Sequence, residues 1–305
     1  EASFINRTFM KNLLNRFYIF SNSWTGTLVI VLFVIFFVAQ AFVIPSGSMK
    51  RTLLVGDHLF VKKFSYGIAT PHIPWLEIPV LPDFNGNGHL IEGERPKRGD
   101  IVVFRYPKDE KVHYVKRCVA TEGDEILFQE KNLYIHFSEG DEYIKANYPA
   151  EKIKTIAGKL WVNNPYKEKF HGIQYDDSVD LFQQMVLHLG ANQLAMKPAL
   201  VQELPAISGY SFNAFYAKVE KDNFFMMGDN RDHSNDSRFW GSVPYKLIVG
   251  KPWFIYFSWE KKGPEEEKLL SPSELASWKK TDEYTIRWNR IGRFVETMQY
   301  DESFF

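Results

Sequence analysis

Two side chains of this 305-residue protein have the chemistry of a nucleophile and its base. Ser48 lies in PSGSM (45–49), and a serine hydroxyl becomes a useful nucleophile only when a base removes its proton. Lys116 lies in VHYVKRCVA (112–120), where strand alternation gives it uncharged neighbours on its own face: Val112, Tyr114, Cys118 and Ala120. Burial among such neighbours would lower the lysine pKa toward the range that a general base needs.

The residues alone leave other interpretations open. His233 lies in DNRDHS (229–234), where nearby acids could complete a Ser-His-Asp arrangement with Ser48. Lys116 could instead extend from a strand edge into solvent, and Pro, Ser and Gly at 45–47 could simply end a helix. The choice depends on the elements that position these side chains.

Composition excludes several classes of protein. The 37 Lys and Arg balance 37 Asp and Glu, so we expect no nucleic-acid partner. One cysteine rules out an intrachain disulfide and a cysteine-based zinc site. A hydrophobic share of 45% excludes wholesale disorder. Aromatic residues, at 16%, suit a β-rich core or a surface that meets a membrane.

An uncharged segment spans residues 17–49, and within it residues 25–44 are almost all apolar. At about 1.5 Å per residue, about 20 such residues cross a hydrocarbon core of about 30 Å, so we predict a transmembrane helix over 25–44. The alternatives fit less well. A cleavable signal peptide has a shorter apolar region, of about 7–15 residues, and a buried globular helix is rarely apolar on every side.

The position of Ser48 relative to that helix predicts where it would act. Ser48 follows Ile44 by four residues, which at about 3.3–3.6 Å each puts it at most about 14 Å from the helix end. The headgroup zone is about 5–8 Å deep on each side, so the nucleophile would work at the membrane surface. Flanking charges do not settle the orientation, because three basic residues precede the helix and four follow it: Arg7, Lys11 and Arg16, then Lys50, Arg51, Lys62 and Lys63.

The remaining chain is predicted to be mostly β-structure with a helical insertion. Strand-like runs lie at 58–64, 100–106, 112–120, 125–129, 159–162, 223–228 and 251–259. Apolar spacing predicts a helix over 177–194, and a capped first turn predicts a short helix from Ser271. The predicted organisation is an N-terminal segment (1–24), the transmembrane helix (25–44), a catalytic β domain (45–129 and 221–305) and an inserted second subdomain (130–220).

Several segments, taken in chain order, resemble bacterial type I signal peptidases, the membrane-bound Ser/Lys endopeptidases. They are PSGSM, TLLVGDHLFVKKFSYG (52–67), RPKRGDIVVFRYP (95–107), YVKRCVATEGDEI (114–126) and FFMMGDNRDHSNDSRFWGSVP (224–244). Separated motifs in one order are far more specific than any one motif alone. The chain departs from the family at Arg51, where proline is common, and at His233, where asparagine is common.

The resemblance assigns roles to individual residues. It implies that Ser48 is the nucleophile and Lys116 its general base, and that the Ser46 hydroxyl and the Ser48 backbone N–H form the oxyanion hole. Ser234 matches the family serine that holds the lysine amine in place. A supporting polar framework is implied for Asp229, Asp236 and Arg238. No metal and no cofactor are expected.

The resemblance also implies the fold, the location and the partners. We expect a mainly β protein of coiled antiparallel sheets with an inserted second subdomain, plus one N-terminal transmembrane helix. Its expected place is the bacterial plasma membrane, single-pass, with the catalytic domain on the periplasmic side and the lipid bilayer as a partner. Its expected function is to remove signal peptides from exported preproteins. The rivals are a peptidase that serves one dedicated substrate and a membrane-tethered binding module that keeps the motifs as structural remnants.

A proline-rich segment, residues 68–82, lies outside these motifs. Its four prolines make a regular helix or a central strand implausible, so we predict an extended loop. The loop is largely apolar, with Trp75 and Leu76 near its centre and Glu77 as its one formally charged residue. Such a loop either packs onto the domain or enters a membrane surface. Because Ser48 is expected near the headgroups, we favour contact with the membrane.

Overall fold

The computed structural model describes residues 2–73, 76–262 and 283–301. Its helices are α1 (Ala2–Ser21), α2 (Trp24–Phe33), α3 (Asp141–Asn147), α4 (Leu181–Gly190), α5 (Ser237–Trp240) and α6 (Val295–Met298). Its strands are β1 (Ala39–Val43), β2 (Asp57–Lys62), β3 (Gly67–Ala69), β4 (His72–Ile73), β5 (Ile78–Pro79), β6 (His89–Glu92), β7 (Ile101–Tyr106), β8 (Asp109–Ala120), β9 (Glu125–Gln129), β10 (Asn132–His136), β11 (Ile153–Ile156), β12 (Lys159–Asn163), β13 (Lys197–Ala199), β14 (Ala214–Lys218), β15 (Asn223–Met227), β16 (Val243–Pro244), β17 (Ile248–Lys262) and β18 (Glu283–Ile286). The prediction of a mainly β protein is confirmed.

The first sheet joins most of the segments that carry the motifs. Its strand order is β1-β2-β17-β7-β8-β15-β16, with β18 paired to β17, and the neighbouring strands are antiparallel. Strand β7 is apolar along most of its length because both of its faces are buried. Ile101 and Val103 pack into one core, while Val102 and Phe104 pack into another. Strand β8 lies between β7 and β15, so Lys116 is on an interior strand of the sheet.

The second sheet has the strand order β11-β12-β10-β9-β14-β13 and is also antiparallel. Strand β9 pairs with β10 and β14, so hydrogen bonding joins residues 125–129 to the part of the chain that follows them. A shared core connects the two sheets, because Val119 and Met227 of the first sheet pack in one cluster with Phe128 and Phe215 of the second. This core fixes the second sheet against the strand that carries Lys116.

The apolar segment 25–44 is not one helix. Helix α2 ends at Phe33, a π-helical turn covers Val34–Val38, and residues 39–43 form β1, which pairs with β2. The prediction of a helix through residue 44 is therefore wrong beyond Val38. The strand forms because antiparallel pairing, such as Ala41 with Phe60, satisfies the backbone groups that a longer helix would otherwise have bonded internally.

A membrane-spanning helix must be both long and apolar. Among the described residues, no single helix meets both conditions. The segments Phe9–Ser21 and Trp24–Val38 meet them only as a pair, and that pair is bent by 92°. The expected single transmembrane helix is thus not confirmed.

The other local predictions have separate outcomes. The helix predicted over 177–194 is present but shorter, as α4, and its Asp180 N-cap accepts a hydrogen bond from the Gln183 backbone N–H. The helix predicted from Ser271 lies outside the described residues. In the proline-rich segment, β4 and β5 form a short hairpin of their own, consistent with the absence of a central strand. Pro74 and Trp75 of that hairpin lie outside the described residues.

Candidate active site

The turn that carries Ser48 follows β1 directly. Ser46 has extended backbone angles, φ −133° and ψ 155°, and residues Gly47–Met49 form one turn of 3-10 helix. Met49 is fully buried in a core cluster, which anchors the turn from below. Asn230 holds it from the other side, because its backbone N–H donates to Ser48 O at 3.1 Å and its Nδ2 donates to Gly47 O at 3.0 Å.

Lys116 approaches this turn from β8. Its Nζ lies 2.5 Å from Ser48 Oγ and also donates to Val115 O at 3.1 Å. The side chains of both residues are buried, with 4% of Lys116 and 8% of Ser48 exposed. Burial lowers the pKa of Lys116 to about 8, although the carboxylates of Asp229 and Asp236 oppose that shift. An amine with such a pKa is partly neutral near pH 8 and can accept a proton.

One buried ion pair lies on the face of β8 opposite Lys116. Arg117, which follows Lys116 and points to the opposite face, donates from Nε and NH2 to the two carboxylate oxygens of Asp229, at 2.8 and 2.7 Å. Thr52 Oγ1 donates to the same carboxylate at 2.5 Å. Burial opposes ionisation of Asp229, but the Arg117 charge and these hydrogen bonds hold its pKa below the usual value.

A second buried ion pair orders the loop after β15. Asp236 is the N-cap of α5, and its carboxylate accepts hydrogen bonds from Arg238 Nε and NH2, both at 2.8 Å, and from the Gly228 backbone N–H at 3.1 Å. The Arg238 charge outweighs burial and keeps the Asp236 pKa below its usual value. Position 228 has room only for glycine, because a Cβ there would collide with Ser48 O and Ser234 Oγ.

The two remaining predicted site serines lie close to the same place. Ser46 is exposed, and its hydroxyl makes no capping bond in the 3-10 turn. Ser234 is 5% exposed and lies beside Asp236, where its hydroxyl adds to the Arg238 charge in lowering the pKa of that carboxyl. The structure therefore brings Ser234 against Gly228 and the Ser48 turn but shows no bond from it to Lys116, whose Nζ bonds to Ser48 and Val115.

The alternative base is bonded elsewhere, and the single cysteine is not placed to act as a nucleophile. His233 is half-exposed, and its Nε2 lies 2.8 Å from Asp176 Oδ2, whereas the base within hydrogen-bond distance of Ser48 Oγ is Lys116. Cys118 lies on the same face of β8 as Lys116 but deep in the core with Val102, and burial raises the pKa of its thiol. A thiol that resists ionisation in this way is a packing group.

Ser48 and Lys116 open into a cleft of about 460 Å³. Three segments line it, namely 45–48, 112–116 and part of the loop at 230–235, and the lining residues include Ser46, His113 and His233. Because 112–116 is a strand segment along one wall, an extended peptide can lie beside it with its carbonyl near Ser48. Across the described residues, no group of three or more His, Cys, Asp or Glu is arranged to hold a metal ion.

Sequence reasoning missed several residues that shape this site. These residues act through hydrogen bonds and close packing with distant segments, which no local sequence pattern predicts. They are Asn230, Thr52 and Gly228. Arg117 did leave a signal. It is a charged residue within an otherwise apolar stretch of strand, and a charge in such a place is buried only with a partner.

Comparison with known proteins gives one consistent family. The family model described as "Signal peptidase, peptidase S26" matches residues 19–259. A Signal peptidase I of Helicobacter pylori (strain J99) is 49% identical over 287 residues, covering 92% of this chain and 94% of that protein. A Signal peptidase I of Buchnera aphidicola subsp. Acyrthosiphon pisum is 34% identical, covering 75% of this chain and 71% of that protein.

A solved structure is also similar in part. The crystal structure of a signal peptidase I from Enterococcus faecalis is 18% identical, covers 52% of this chain and 97% of that chain, and has a TM-score of 0.27. The family assignment rests on the sequence matches, which cover most of the chain at up to half identity. The chain belongs to the bacterial type I signal peptidases, and it is a serine endopeptidase of that family.

Proposed function

We propose that this protein removes signal peptides from exported preproteins with Ser48 as nucleophile and Lys116 as general base. The observation that carries the proposal is the 2.5 Å distance between Lys116 Nζ and Ser48 Oγ, formed where both side chains are buried. The lowered pKa of the lysine supports it, because a neutral amine is required to take the serine proton.

The proposed reaction has two halves. In the first, Lys116 takes the Ser48 proton while Oγ attacks the scissile carbonyl, and the resulting ammonium protonates the leaving amine as the acyl-enzyme ester forms. In the second, neutral Lys116 takes a proton from water, which attacks the ester and releases the carboxylate product and Ser48. The Lys116 ammonium formed in this second half protonates Ser48 Oγ as the ester breaks. Serine and neutral lysine are thereby both restored, and no cofactor takes part.

Charge on the carbonyl oxygen is proposed to be stabilised by the Ser48 backbone N–H and the Ser46 hydroxyl. Ser46 is the N-cap residue of the 3-10 turn, but its hydroxyl makes no capping hydrogen bond. This supports the role, because the hydroxyl is not used within the turn. Each such donor typically contributes about 3–4 kcal/mol to a transition state. Ser234 is proposed to hold the Lys116 amine, and its buried position against Gly228 and the Ser48 turn supports that role. Asp229, Asp236 and Arg238 are proposed to keep the frame ordered.

The test uses the full-length protein in detergent with one preprotein and N-terminal sequencing of the product. Ser48→Ala and Lys116→Ala are each expected to abolish cleavage. Lys116→Arg is expected to fail as well, because a guanidinium does not release its proton near neutral pH. Asp109→Ala, on an exposed part of the same strand, is the matched control. Cleavage that survives in Lys116→Ala but is lost in His233→Ala would transfer the role of base to the histidine.

We further propose that the enzyme acts at the extracytoplasmic surface of the bacterial plasma membrane. The apolar segment 24–38 would anchor the chain in the bilayer. The β4–β5 hairpin and the residues after it would touch its surface, because their apolar side chains are solvent-exposed rather than packed into the core. These are Ile73, Leu76, Ile78, Val80 and Leu81, with Leu76 57% exposed. Burial of such side chains contributes about 1.5–3 kcal/mol each when complete.

Vesicle binding by a protein lacking residues 1–38 isolates the contribution of the hairpin. Leu76→Ser with Ile78→Ser is expected to weaken binding to anionic lipid vesicles while leaving cleavage of a short soluble peptide nearly intact. The control is Leu187→Ser with Leu200→Ser, two apolar residues that are even more exposed and lie in the part that contains the second sheet. Equal loss of binding in both double variants would overturn the assignment of the hairpin. Trp75, whose fluorescence would report the contact, lies outside the described residues.

We also propose a domain organisation, which is supported by strand pairing. Residues 45–129 and 221–305 would form the catalytic β domain, and 130–220 the inserted second subdomain. The pairing of β9 with β10 and β14 supports moving the start of the insertion to residue 125. Limited proteolysis that cuts between β9 and β10 while leaving the two fragments associated is the expected outcome.

A further inference from the structure

Residues 170–176, which we call the strap, connect β12 to α4 and run along the underside of the candidate active site. Alternate residues of the strap contact the site. Phe170 is buried beneath the Arg117 guanidinium, with 3.8 Å between the guanidinium carbon and the ring centre. Two residues later, Gly172 faces Thr52.

The contacts continue at Gln174 and Asp176. The Gln174 backbone N–H donates to Asp229 O at 2.9 Å, and the Arg231 backbone N–H donates to Gln174 O at 3.0 Å, so the strap and the 229–231 loop form a parallel bridge. The Asp176 backbone N–H donates to the carboxylate of Asp232 at 2.6 Å. Spacing by two is that of an extended segment with one face against a partner. The strap therefore bonds the insertion to the loop that holds the nucleophile turn.

Gly172 is the point at which the strap comes closest. A Cβ at this position would overlap Thr52 Oγ1 and would lie only 3.1 Å from Thr52 Cβ and 3.2 Å from Thr52 N. The Thr52 hydroxyl is fully buried and donates to Asp229 Oδ2. The next residue, Asn230, donates to the backbone carbonyls of Ser48 and Gly47. Space at residue 172 is thus linked to the position of the nucleophile through Thr52 and Asp229.

We propose that Gly172 is a positioning residue for peptide cleavage. Its lack of a side chain lets the strap press the Thr52 hydroxyl onto Asp229, and this contact fixes the 229–230 backbone that sets the distance from Ser48 Oγ to Lys116 Nζ. The inference rests on the proposed Ser48–Lys116 mechanism and assigns the insertion a function in it. Strap residues do not line the cleft. The contact consequently governs the chemical step rather than the binding of a short peptide.

The first test compares Gly172→Ala with the wild-type full-length protein in detergent. A misplacement of about 1 Å at a reacting atom can cost about 100-fold in rate, so kcat for a short peptide is expected to fall by about that factor with KM nearly unchanged. Gly190→Ala is the matched control, since Gly190 lies in the same insertion and a Cβ there meets nothing within 4 Å. Equal kcat values for Gly172→Ala and Gly190→Ala would overturn the proposal.

A double variant tests the route through Thr52. Thr52→Ala alone is expected to lower kcat about tenfold, because Asp229 loses one hydrogen bond and the 229–230 backbone loosens. Adding Gly172→Ala to Thr52→Ala should cost less than about threefold more, because the hydroxyl that the new methyl group would strike is gone. Full additivity would show that Gly172 acts by another route. If Gly172→Ala does not fold, wild-type kcat in Thr52→Ala is by itself sufficient to reject the proposal.

The same assay separates this inference from the mechanism on which it depends. Ser48→Ala is measured alongside, and acyl-enzyme formation is followed with a serine-directed electrophile. If Ser48→Ala stays active, the proposed mechanism fails whatever the strap does. If Ser48→Ala is inactive while Gly172→Ala acylates at the wild-type rate, the mechanism stands and the positioning role is rejected.

Discussion

Two of the regions in which charged side chains are buried neutralise those charges differently. Beside the proposed dyad, two buried arginines each face a carboxylate, Arg117 with Asp229 and Arg238 with Asp236, all with fully buried side chains. Burial opposes ionisation of both carboxyls, yet the arginines hold their pKa values below the usual range. We call these four residues the frame.

The second region joins the β4–β5 hairpin to β7 and β8, and there one carboxylate faces several basic groups. Glu77 accepts from Arg105 Nε at 3.3 Å and lies 3.8 Å from His113 Nε2, while Arg105 NH2 lies 2.8 Å from His72 Nδ1. Burial lowers the pKa of nearby Lys63 to about 8 and that of His113 to about 4, and the Arg105 charge adds to both shifts. We call these five residues the hairpin cluster.

The comparison shows what makes a buried lysine useful as a base. In both regions burial disfavours the ammonium, and Lys63 and Lys116 both have a pKa lowered to about 8. The carboxylates nearest Lys116 are already paired with arginines, so they only partly restore its charge. Lys116 differs from Lys63 chiefly in having a serine hydroxyl 2.5 Å away at the wall of an open cleft.

The largest expected effect comes from breaking the frame. Asp229→Ala leaves Arg117 buried without its carboxylate and should lower the free energy of unfolding by about 3–5 kcal/mol, measured by denaturant unfolding in detergent. The matched control replaces both charges, Arg117→Met with Asp229→Leu, and should recover most of the stability while cleavage stays low. Equal destabilisation in the two variants would mean that packing, not pairing, holds the frame.

The next effect is on the pH dependence of activity and stability. Cleavage should rise with pH through about 8, the pKa of folded Lys116, because the neutral amine is the active form. Between pH 8 and the unfolded value of 10.5, the unfolded chain binds a proton that the folded chain has lost, so stability should rise across that window. For a fully shifted lysine, the change is about 3 kcal/mol.

Lys63 sharpens this prediction because it titrates in the same window. Lys63→Met should remove about half of the rise in stability between pH 8 and 10.5 and leave the pH profile of cleavage unchanged. Activity that keeps climbing to pH 10 in the wild-type protein would contradict a lowered pKa for Lys116. A profile that changes in Lys63→Met would mean that the two regions are coupled.

A smaller effect is expected from the hairpin cluster itself. Glu77→Gln removes the cluster's carboxylate and leaves the Arg105 guanidinium, which is 5% exposed, with weaker acceptors. The expected cost is about 1–3 kcal/mol in the free energy of unfolding, with kcat for a short peptide unchanged. Arg105→Met in the Glu77→Gln background should restore part of the loss. A large fall in kcat in Glu77→Gln alone would place this residue within the machinery of the reaction.

The smallest effect concerns a buried group that carries no charge. Cys118 is fully buried on β8, in the core that contains Val102 and Phe104, and burial raises the pKa of its thiol. Cys118→Ala should cost about 1 kcal/mol and leave cleavage intact, and the native protein should resist alkylation at neutral pH. Loss of activity on alkylation of the folded protein would show that the thiol is accessible and would contradict its role as a packing group.

All seven strand-like runs correspond to strands, the short runs as well as the long ones, since 125–129 is β9 and 159–162 lies within β12. The runs at 100–106 and 112–120 correspond to β7 and β8, and the run at 251–259 lies within β17. The same patterns extended the membrane-proximal helix too far along the chain, because 39–44 is uncharged and, apart from Gln40, apolar like the residues before it. Hydropathy does not distinguish a helix from a strand when the backbone finds a partner, and β2 supplies that partner.

The sequence by itself determined the family and the class of enzyme, and it indicated the candidate residues, because ordered motifs specify residue types and their spacing along the chain. It also indicated that Lys116 and Arg117 lie on opposite faces, since neighbours on a strand alternate. Only the tertiary structure decided which groups meet. The contact of Ser48 with Lys116 spans 68 residues of sequence, and that of Arg117 with Asp229 spans 112. The strap, the space at Gly172 and the burial that lowers the Lys116 pKa arise from packing between distant segments, which no local pattern encodes.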